Sequence, residues 1–492
     1  MQLKTLLHSL IACEMDFQDN PVITSVETDS RNVRKGSLFV CISGARFDGH
    51  QFVDQVAESG AAAVVTDHPV QTSIPVVVVS DTRRASAVLA DAFYGQPTKQ
   101  FHLVGVTGTN GKTTTTHLIE KIFADSGKKT GMIGTIGMTV SGQPLEMQST
   151  TPTTPEAVTL QQGFSEMVSR KVDTAVMEVS SHALELGRVH GCDFNVAVFT
   201  NLSQDHLEFH STMEDYFRAK SLLFSQLGNT YDRNKVNAAV INADDRRADD
   251  LIKVTAAQVV TYGIERKADI RAEEVELSEK GTRFSLVSPF GRTDIQLKLI
   301  GLFNVYNALA AAAASLLSGL SLSQVKASLE EAGGVPGRFE VIDEGQPFTV
   351  IVDYAHTPDS LENVLATVQQ FAKGRIFAVI GCGGDRDRTK RPIMAQKSVE
   401  YADISVFTSD NPRSEEPEAI IHDMEDGVRG ERFVSISDRT EAIHYAVEEA
   451  DPGDIIVIAG KGHETYQILG DRVIDFDDRE KAREAIRKIQ LP

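Results

Sequence analysis

FHLVGVTGTNGKTTTTHLIEKIF, residues 101–123, decides the fold. FHLVGVTG (101–108) is a short apolar run ending on glycine, which reads as a buried strand. Beyond it, Leu118, Ile119, Ile122 and Phe123 recur on one face of a helix. Strand, glycine loop and helix in that order are the unit of a parallel α/β sheet. Towards the C-terminus, DTAVMEV (173–179), FNVAVFT (194–200), AAVIN (238–242) and QVVTYG (258–263) read as further strands. Segment 268–300 alternates with charged turns and reads as an antiparallel insert, and 302–320 reads as an alanine-rich helix suited to close packing. Gly333-Gly334-Val335-Pro336-Gly337 breaks the pattern. After it the rhythm restarts with FTVIVDYAH, RIFAVIGCGG, ISVFTSDNPR, RFVSIS and DIIVIAGKGHE. Towards the N-terminus, SLFVCI (37–42), AAAVVT (61–66) and PVVVV (75–79) precede a helix over TRRASAVLADAFYG, which Gly95-Gln96-Pro97 ends. The expected architecture is α/β in three domains: a small α/β domain over 1–98, a central P-loop ATPase-like parallel sheet over 99–334, and a Rossmann-like domain over 335–492.

The length of 492 residues suits about three domains of ordinary size. Lys and Arg number 49 against 69 Asp and Glu, a formal net charge of −20. A general nucleic-acid binder needs the opposite balance. Hydrophobic residues at 41% and charged ones at 24% exclude disordered, collagen-like and membrane architectures. Cys13, Cys41, Cys192 and Cys382 are far apart and form no CxxC pair, so neither a disulfide framework nor a cysteine zinc site is expected. The N-terminus has no clean signal-peptide core, and no run approaches the ~20 apolar residues of a spanning helix. A cytoplasmic enzyme is expected.

Thr107-Gly108-Thr109-Asn110-Gly111-Lys112-Thr113 carries the first chemistry. Glycines let the backbone wrap a polyphosphate whose charge meets the N–H groups at a helix N-terminus. Lys112 would neutralise the β- and γ-phosphates, and the Thr113 hydroxyl would bind magnesium. The strict pattern G-x-x-x-x-G-K-[ST] fails at its first glycine, where Val106 stands. Glu178, in MetGluValSerSerHis (177–182), ends a strand where a P-loop enzyme needs a carboxylate for magnesium; an ordinary strand-end acid is the alternative. His182, His206 and His210 raise zinc, but no thiolate joins them and magnesium competes for the place.

Lys220 is out of place by periodicity. In DYFRAKSLLF, Phe217, Leu223 and Phe224 fall at i−3, i+3 and i+4 from it. A lysine on an apolar face snorkels, finds a partner or loses its charge. A neutral amine reacts with carbon dioxide to give a carbamate, which is a carboxylate and suits magnesium. In the third domain, polar clusters sit at the ends of four strands: Asp353–Pro358, Gly381–Arg386, Asp410–Arg413 and Gly460–Glu464. Ligands bind at such ends in open α/β sheets. GCGGDR lacks the third glycine of a dinucleotide loop, which disfavours a NAD role. Arg386 and Arg413 could fork onto a carboxylate and Glu464 could receive an ammonium, a pocket for an amino acid; surface ion pairing is the alternative.

In order and spacing, TGTNGKT, EVSSH, NLSQDHLEFH, AKSLLF, GLFNVYN, PGRFE, DYAHTP, GCGGDRD and GKGHE resemble the Mur ligase family over essentially the whole chain. ThrAspSerArg (28–31) with LFVCISG looks like the uridine-binding domain of its tripeptide-forming branch, and DNPR like the version that adds meso-diaminopimelate. The resemblance implies a bacterial cytoplasmic ligase of peptidoglycan precursor synthesis that uses ATP and Mg²⁺. ATP would phosphorylate the D-glutamate γ-carboxylate of UDP-N-acetylmuramoyl-L-alanyl-D-glutamate, and the amine of meso-diaminopimelate would attack the acyl phosphate. It implies Lys112, Glu178, His206 and a carbamylated Lys220 as catalytic residues, with Thr113, Glu178, His206 and the carbamate on magnesium. Gly108, Thr109, Asn110, Gly111, Lys112, Thr113, Thr114, Asn304, Arg338 and Asp353 would bind ATP. Ser30, Thr150, Thr151, Ser180 and Arg188 would hold the UDP-muramoyl-dipeptide, with TTPTT allowing alternative registers and Leu186 standing where some relatives carry an amide. Arg386, Asp410, Asn411, Pro412, Arg413, Gly460 and Glu464 would hold diaminopimelate. Small-molecule substrates, no nucleic acid, no membrane insertion, a monomer and closure of three domains around the reaction complete the expectation.

Two rivals stand beside it. One is the same scaffold adding L-lysine, whose terminal ammonium Arg413 would repel. The other, of a different class, is a P-loop switch that binds nucleotide and regulates a partner.

Overall fold

The computed structural model describes residues 1–15, 17–44, 48–147, 151, 153–228, 236–278, 281–428 and 432–490. Among the described residues three large sheets follow one another along the chain, and a two-stranded ribbon of Tyr466–Leu469 and Arg472–Asp475 comes after the third. In the first, strands Ser25–Glu27, Ser37–Val40, Ala63–Thr66 and Val76–Val78 run parallel, and Glu14–Met15 adds an antiparallel edge. Val40, Val65 and Val77 are fully buried in this layer, as β-branched runs covered on both faces should be.

The second sheet has eleven strands. His102–Thr107 lies between Thr174–Glu178 and Val196–Phe199, all parallel. That order brings TGTNGKT, EVSSH and the Asn201–His206 loop to one carboxyl edge. Helix Lys112–Asp125 packs Leu118, Ile119, Ile122 and Phe123 into the same core as helix Leu302–Leu317. The alanines of the latter are fully buried, and their small side chains let the two helices approach closely. Segment 268–300 forms the antiparallel strands Ile270–Ser278, Gly281–Ser288 and Gly291–Leu297. It extends the central sheet, since Ile270 and Arg271 pair in parallel with Tyr262 and Gly263.

In the third sheet, Thr349–Asp353, Ile455–Ala459, Ile376–Cys382 and Ile404–Ser409 are consecutive parallel neighbours. Helix Pro358–Gln369 starts at a capping box between Thr357 and Ser360, with Pro358 in the first turn, where its missing N–H costs nothing. Arg439 and Asp478, both fully buried, pair through two 2.7 Å bonds. Arg439 also donates to the carbonyls of Ser409 and Ala459, the last residues of two of those strands. The final helix, Asp478–Gln490, thereby fixes the strand ends from which two polar clusters depart.

Candidate active site

The phosphate loop is shaped by close approach. Gly108 has φ +152° and a Cβ there would run into Thr200 Oγ1; Gly111 has φ +83° and its Cβ would strike Asn307 Oδ1. Lys112 Nζ lies on the loop's own carbonyls, 2.9 Å from Gly108 O and 2.8 Å from Thr109 O. Burial lowers its pKa, against the attraction of Glu178 and Asp205.

Glu178, 1% exposed, ends its strand facing this loop. Its Oε2 accepts from Thr113 Oγ1 at 3.0 Å, and its Oε1 from the Thr135 N–H at 2.9 Å. Two oxygen ligands about 2.1 Å from one octahedral ion stand about 3 Å apart. The Thr113–Glu178 pair therefore fits magnesium in both chemistry and spacing. His206 sits at φ +58°, a left-handed conformation that costs a non-glycine residue energy and clusters at functional sites. Its ring meets that of His182 edge-on at 4.8 Å. Burial, with His206 and His210 adding to it, holds His182 down at about 3.

Lys220 lies in helix Met213–Ser225 and is 1% exposed. Its Nζ donates to Gly108 O at 2.7 Å, the carbonyl that Lys112 also uses, and lies 4.5 Å from the Tyr216 ring centroid. Among the described residues no carboxylate pairs with it. Burial first and Lys112 second push its pKa well below the lysine range. Snorkelling is thereby excluded: the amine ends inside the protein.

A cavity of about 470 Å³ runs from this loop into the third sheet. Thr109, Asn110, Gly111, Lys112, Thr113, Glu178, Ser180, His206 and Lys220 line one end; Arg386, Asp410, Asn411, Arg413, Gly460 and Glu464 line the other. Pro412 stands behind the wall with its carbonyl against Gly384. An adjoining pocket holds Thr114, Asn304, Arg338 and Asp353, with Phe303, Tyr306 and Val364 as apolar walls. Arg338 stacks on Tyr354 at 4.4 Å and donates to Thr113 Oγ1 at 3.2 Å. Asp353 accepts from the backbone N–H groups of Phe339 and Ala355, at 2.6 and 2.7 Å. Contacts cross between the second and third sheets: Asn110 donates to Asp359 at 2.7 Å, and Asp205 lies 3.7 Å from both Lys390 and His356.

At the far end Lys461 is the residue that sequence reading missed. Fully buried, its Nζ lies 3.0 Å from Asn411 Oδ1, 3.3 Å from Glu464 Oε2 and 3.5 Å from Asp410 Oδ1. The ammonium received by Glu464 is thus first of all an internal one. Asp410 and Glu464 share this lysine, and Arg413 faces the same carboxylates. Burial and Asp410 raise the Glu464 pKa, with Lys461 opposing. Arg413 is held at φ +53° by its N–H to Ile468 O, 3.1 Å, and its guanidinium donates to Gly384 O at 2.7 Å. Arg386 is exposed at the rim and bonds the Asp385 carbonyl.

The remaining predicted residues divide between two places. Ser30 and Arg188 line a separate pocket of about 640 Å³ between the first and second sheets, together with Leu186. Arg188 is fixed there by Glu156 at 2.8 Å and by the Thr154 carbonyl at 3.1 Å. Ser180 caps helix Ser181–Glu185 at the main cavity. Thr151 turns its hydroxyl to Thr154 O, and Thr153, not singled out before, lines the cavity with its hydroxyl 3.0 Å from that of Thr135. Thr150 lies outside the described residues.

Comparison with known proteins accords with this geometry. Family models match in three places: Mur ligase middle domain over residues 106–315, the Mur ligase glutamate ligase domain over 337–462, and the Mur ligase family catalytic domain over 22–94. A UDP-N-acetylmuramoyl-L-alanyl-D-glutamate–2,6-diaminopimelate ligase of Bacillus cereus is 57% identical, covering 98% of each chain. A solved structure of a ligase with the same description is 34% identical, with a TM-score of 0.68 over 99% of each chain. A MurF ligase from Thermotoga maritima in complex with ADP shares the fold at 19% identity, with a TM-score of 0.65 over 94% of this chain and 97% of that one. With identity that high over its whole length, the chain belongs to the Mur ligase family.

Proposed function

We propose that this chain is the ATP-dependent ligase that joins meso-diaminopimelate to UDP-N-acetylmuramoyl-L-alanyl-D-glutamate, making a peptidoglycan precursor in the bacterial cytoplasm. One observation carries the reading: a phosphate loop and an amino-acid pocket with Arg413, Arg386, Asp410 and Glu464 open into the same cavity. A nucleotide switch has no use for the second pocket. The protein is read as a monomer of three domains, 1–98, 99–334 and 335–492, one for each large sheet.

In the proposed reaction the γ-phosphoryl group of ATP passes to the D-glutamate γ-carboxylate and ADP departs. The diaminopimelate amine attacks the acyl carbon, and the tetrahedral intermediate expels phosphate and loses the amine proton to leave an amide. Lys112 and Arg338 offset charge on the transferring group. The apolar pocket beside Asn304 takes the adenosine, with Asp353 holding the Phe339–Ala355 backbone that forms its edge. Thr113, Glu178, His206 and carbamylated Lys220 would hold magnesium, which supplies further charge neutralisation at the phosphates. The carbamate forms as the neutral Lys220 amine adds to carbon dioxide and releases one proton. Ser30 and Arg188 receive the UDP end of the other substrate, and Ser180 with Thr153 its dipeptide end. Arg413 selects diaminopimelate by its distal carboxylate, while Asp410 and Glu464 receive the distal ammonium.

The test is phosphate release with the UDP-muramoyl-dipeptide, ATP and magnesium, adding meso-diaminopimelate or L-lysine. Release with diaminopimelate alone, with a tripeptide product, is expected. Release with lysine would overturn the role given to Arg413, and release with neither would overturn the acceptor assignment.

A further inference from the structure

Away from the cavity, one cluster beside the first sheet has the construction of a metal site. His50 lies on the single turn Gly49–Phe52, and Asp67 and His68 directly follow strand Ala63–Thr66. The ligand atoms of these three residues lie within 4.8 Å of one another. The His50 side chain is 7% exposed, and its Nδ1 lies 2.6 Å from Asp48 Oδ1. A carboxylate only accepts, so Nδ1 donates to Asp48, while the Asp67 N–H donates to Nε2, which thereby presents its lone pair. That lone pair faces Asp67, accepting its backbone N–H at 3.4 Å, with Asp67 Oδ1 at 3.3 Å. Two ligands at about 2.0–2.1 Å from a tetrahedral zinc ion stand about 3.3 Å apart. A carboxylate behind a ligating histidine is the usual device for fixing the ring and raising its basicity.

The third ligand needs a small adjustment. His68 Nδ1 lies 2.6 Å from Asp67 Oδ1, and its ring stacks on that of His50 at 4.5 Å. The His68 side chain is 58% exposed, so it is free to turn. Binding would place its proton on Nε2 and leave Nδ1 as the ligand atom.

We propose that His50 Nε2, Asp67 Oδ1 and His68 Nδ1 form a binding site for a zinc-class divalent cation, with water as fourth ligand and Asp48 orienting His50 from behind. Two imidazoles and one carboxylate suit zinc, whereas magnesium asks for oxygen ligands. The site is therefore chemically distinct from the Thr113–Glu178 pair. Its position gives it a consequence. Gly49 and Phe52 of the same turn line the pocket that contains Ser30 and Arg188. A bound ion ties this turn to the end of strand Ala63–Thr66 and stiffens that wall. This second effect rests on the proposed substrate assignment; the binding itself does not.

The experiment is calorimetric titration of zinc chloride into the full-length protein in excess magnesium, with His68→Ala and Asp48→Ala alongside. Wild type should bind one more equivalent than His68→Ala, and Asp48→Ala should bind that equivalent about 10–100-fold more weakly. Equal melting temperatures of wild type and His68→Ala without zinc, with zinc raising only the wild type, would show that the variant is folded. Identical isotherms for wild type and His68→Ala, or no zinc binding by wild type, would overturn the site. For the coupling, zinc should change the KM for the UDP-substrate several-fold in wild type and not in His68→Ala. Equal shifts in both would overturn the coupling while leaving the binding result to stand by itself.

Discussion

The two ends of the main cavity each bury a lysine, and they treat it in opposite ways. Lys220 meets a carbonyl, a tyrosine ring and the neighbouring Lys112. Lys461 meets Asp410, Glu464 and the side-chain oxygen of Asn411. Both are equally hidden from water, so burial alone does not decide their charge. Partners do: desolvation disfavours an ammonium unless carboxylates restore what water gave. One environment favours a neutral amine open to carbon dioxide. The other surrounds its lysine with two carboxylates.

Breaking the contrast at Lys220 should have the largest effect. Lys220→Ala should lose about 1000-fold in turnover, a loss of several kcal/mol in charge stabilisation at the transferring phosphoryl group. Formate or acetate should restore part of it; full activity without them would refute the carbamate. Lys461→Met should gain nothing from either acid. Its effect is on the fold and on diaminopimelate: removing one partner of a buried charge cluster costs about 3–5 kcal/mol, which denaturant titration would read, with a raised KM for diaminopimelate. Arg413→Leu should be milder, lowering kcat/KM for diaminopimelate about 10–100-fold through loss of a charge-assisted hydrogen bond while narrowing the discrimination against L-lysine. The smallest effect is a pH shift. Glu464 must be ionised to receive an ammonium, and its pKa is raised, so kcat/KM for diaminopimelate falls as pH drops through that raised value. Lys461 opposes the rise, so in Lys461→Met the acidic limb should move to higher pH. An unmoved limb in the pH profile would contradict this ordering of charges.

The same contrast marks what the sequence discloses. Lys220 was legible because its anomaly is local: helical spacing sets it among Phe217, Leu223 and Phe224, all buried in the structure. The phosphate loop was legible for the same reason, since strand, glycines and helix are contiguous. Lys461 was not, because its partners Asp410 and Asn411 come from a strand end some fifty residues earlier. Nor was Arg439, whose bonds to Ser409, Ala459 and Asp478 exist only once the strands are side by side. Segment 268–300 had the right antiparallel character, but the way it joins the molecule was not legible. Its attachment to the central sheet is the short pairing of Ile270 and Arg271 with Tyr262 and Gly263, which no periodicity encodes. Thr153 was passed over because the four threonines of TTPTT offer several registers.

The most direct measurement is carbon-13 NMR of the protein equilibrated with ¹³C-labelled bicarbonate, comparing wild type, Lys220→Ala and Lys461→Met. One enriched carbamate signal should appear in wild type, persist in Lys461→Met and vanish in Lys220→Ala. A wild type without the signal, or a signal that survives in Lys220→Ala, would contradict the account of how this cavity treats its two buried lysines.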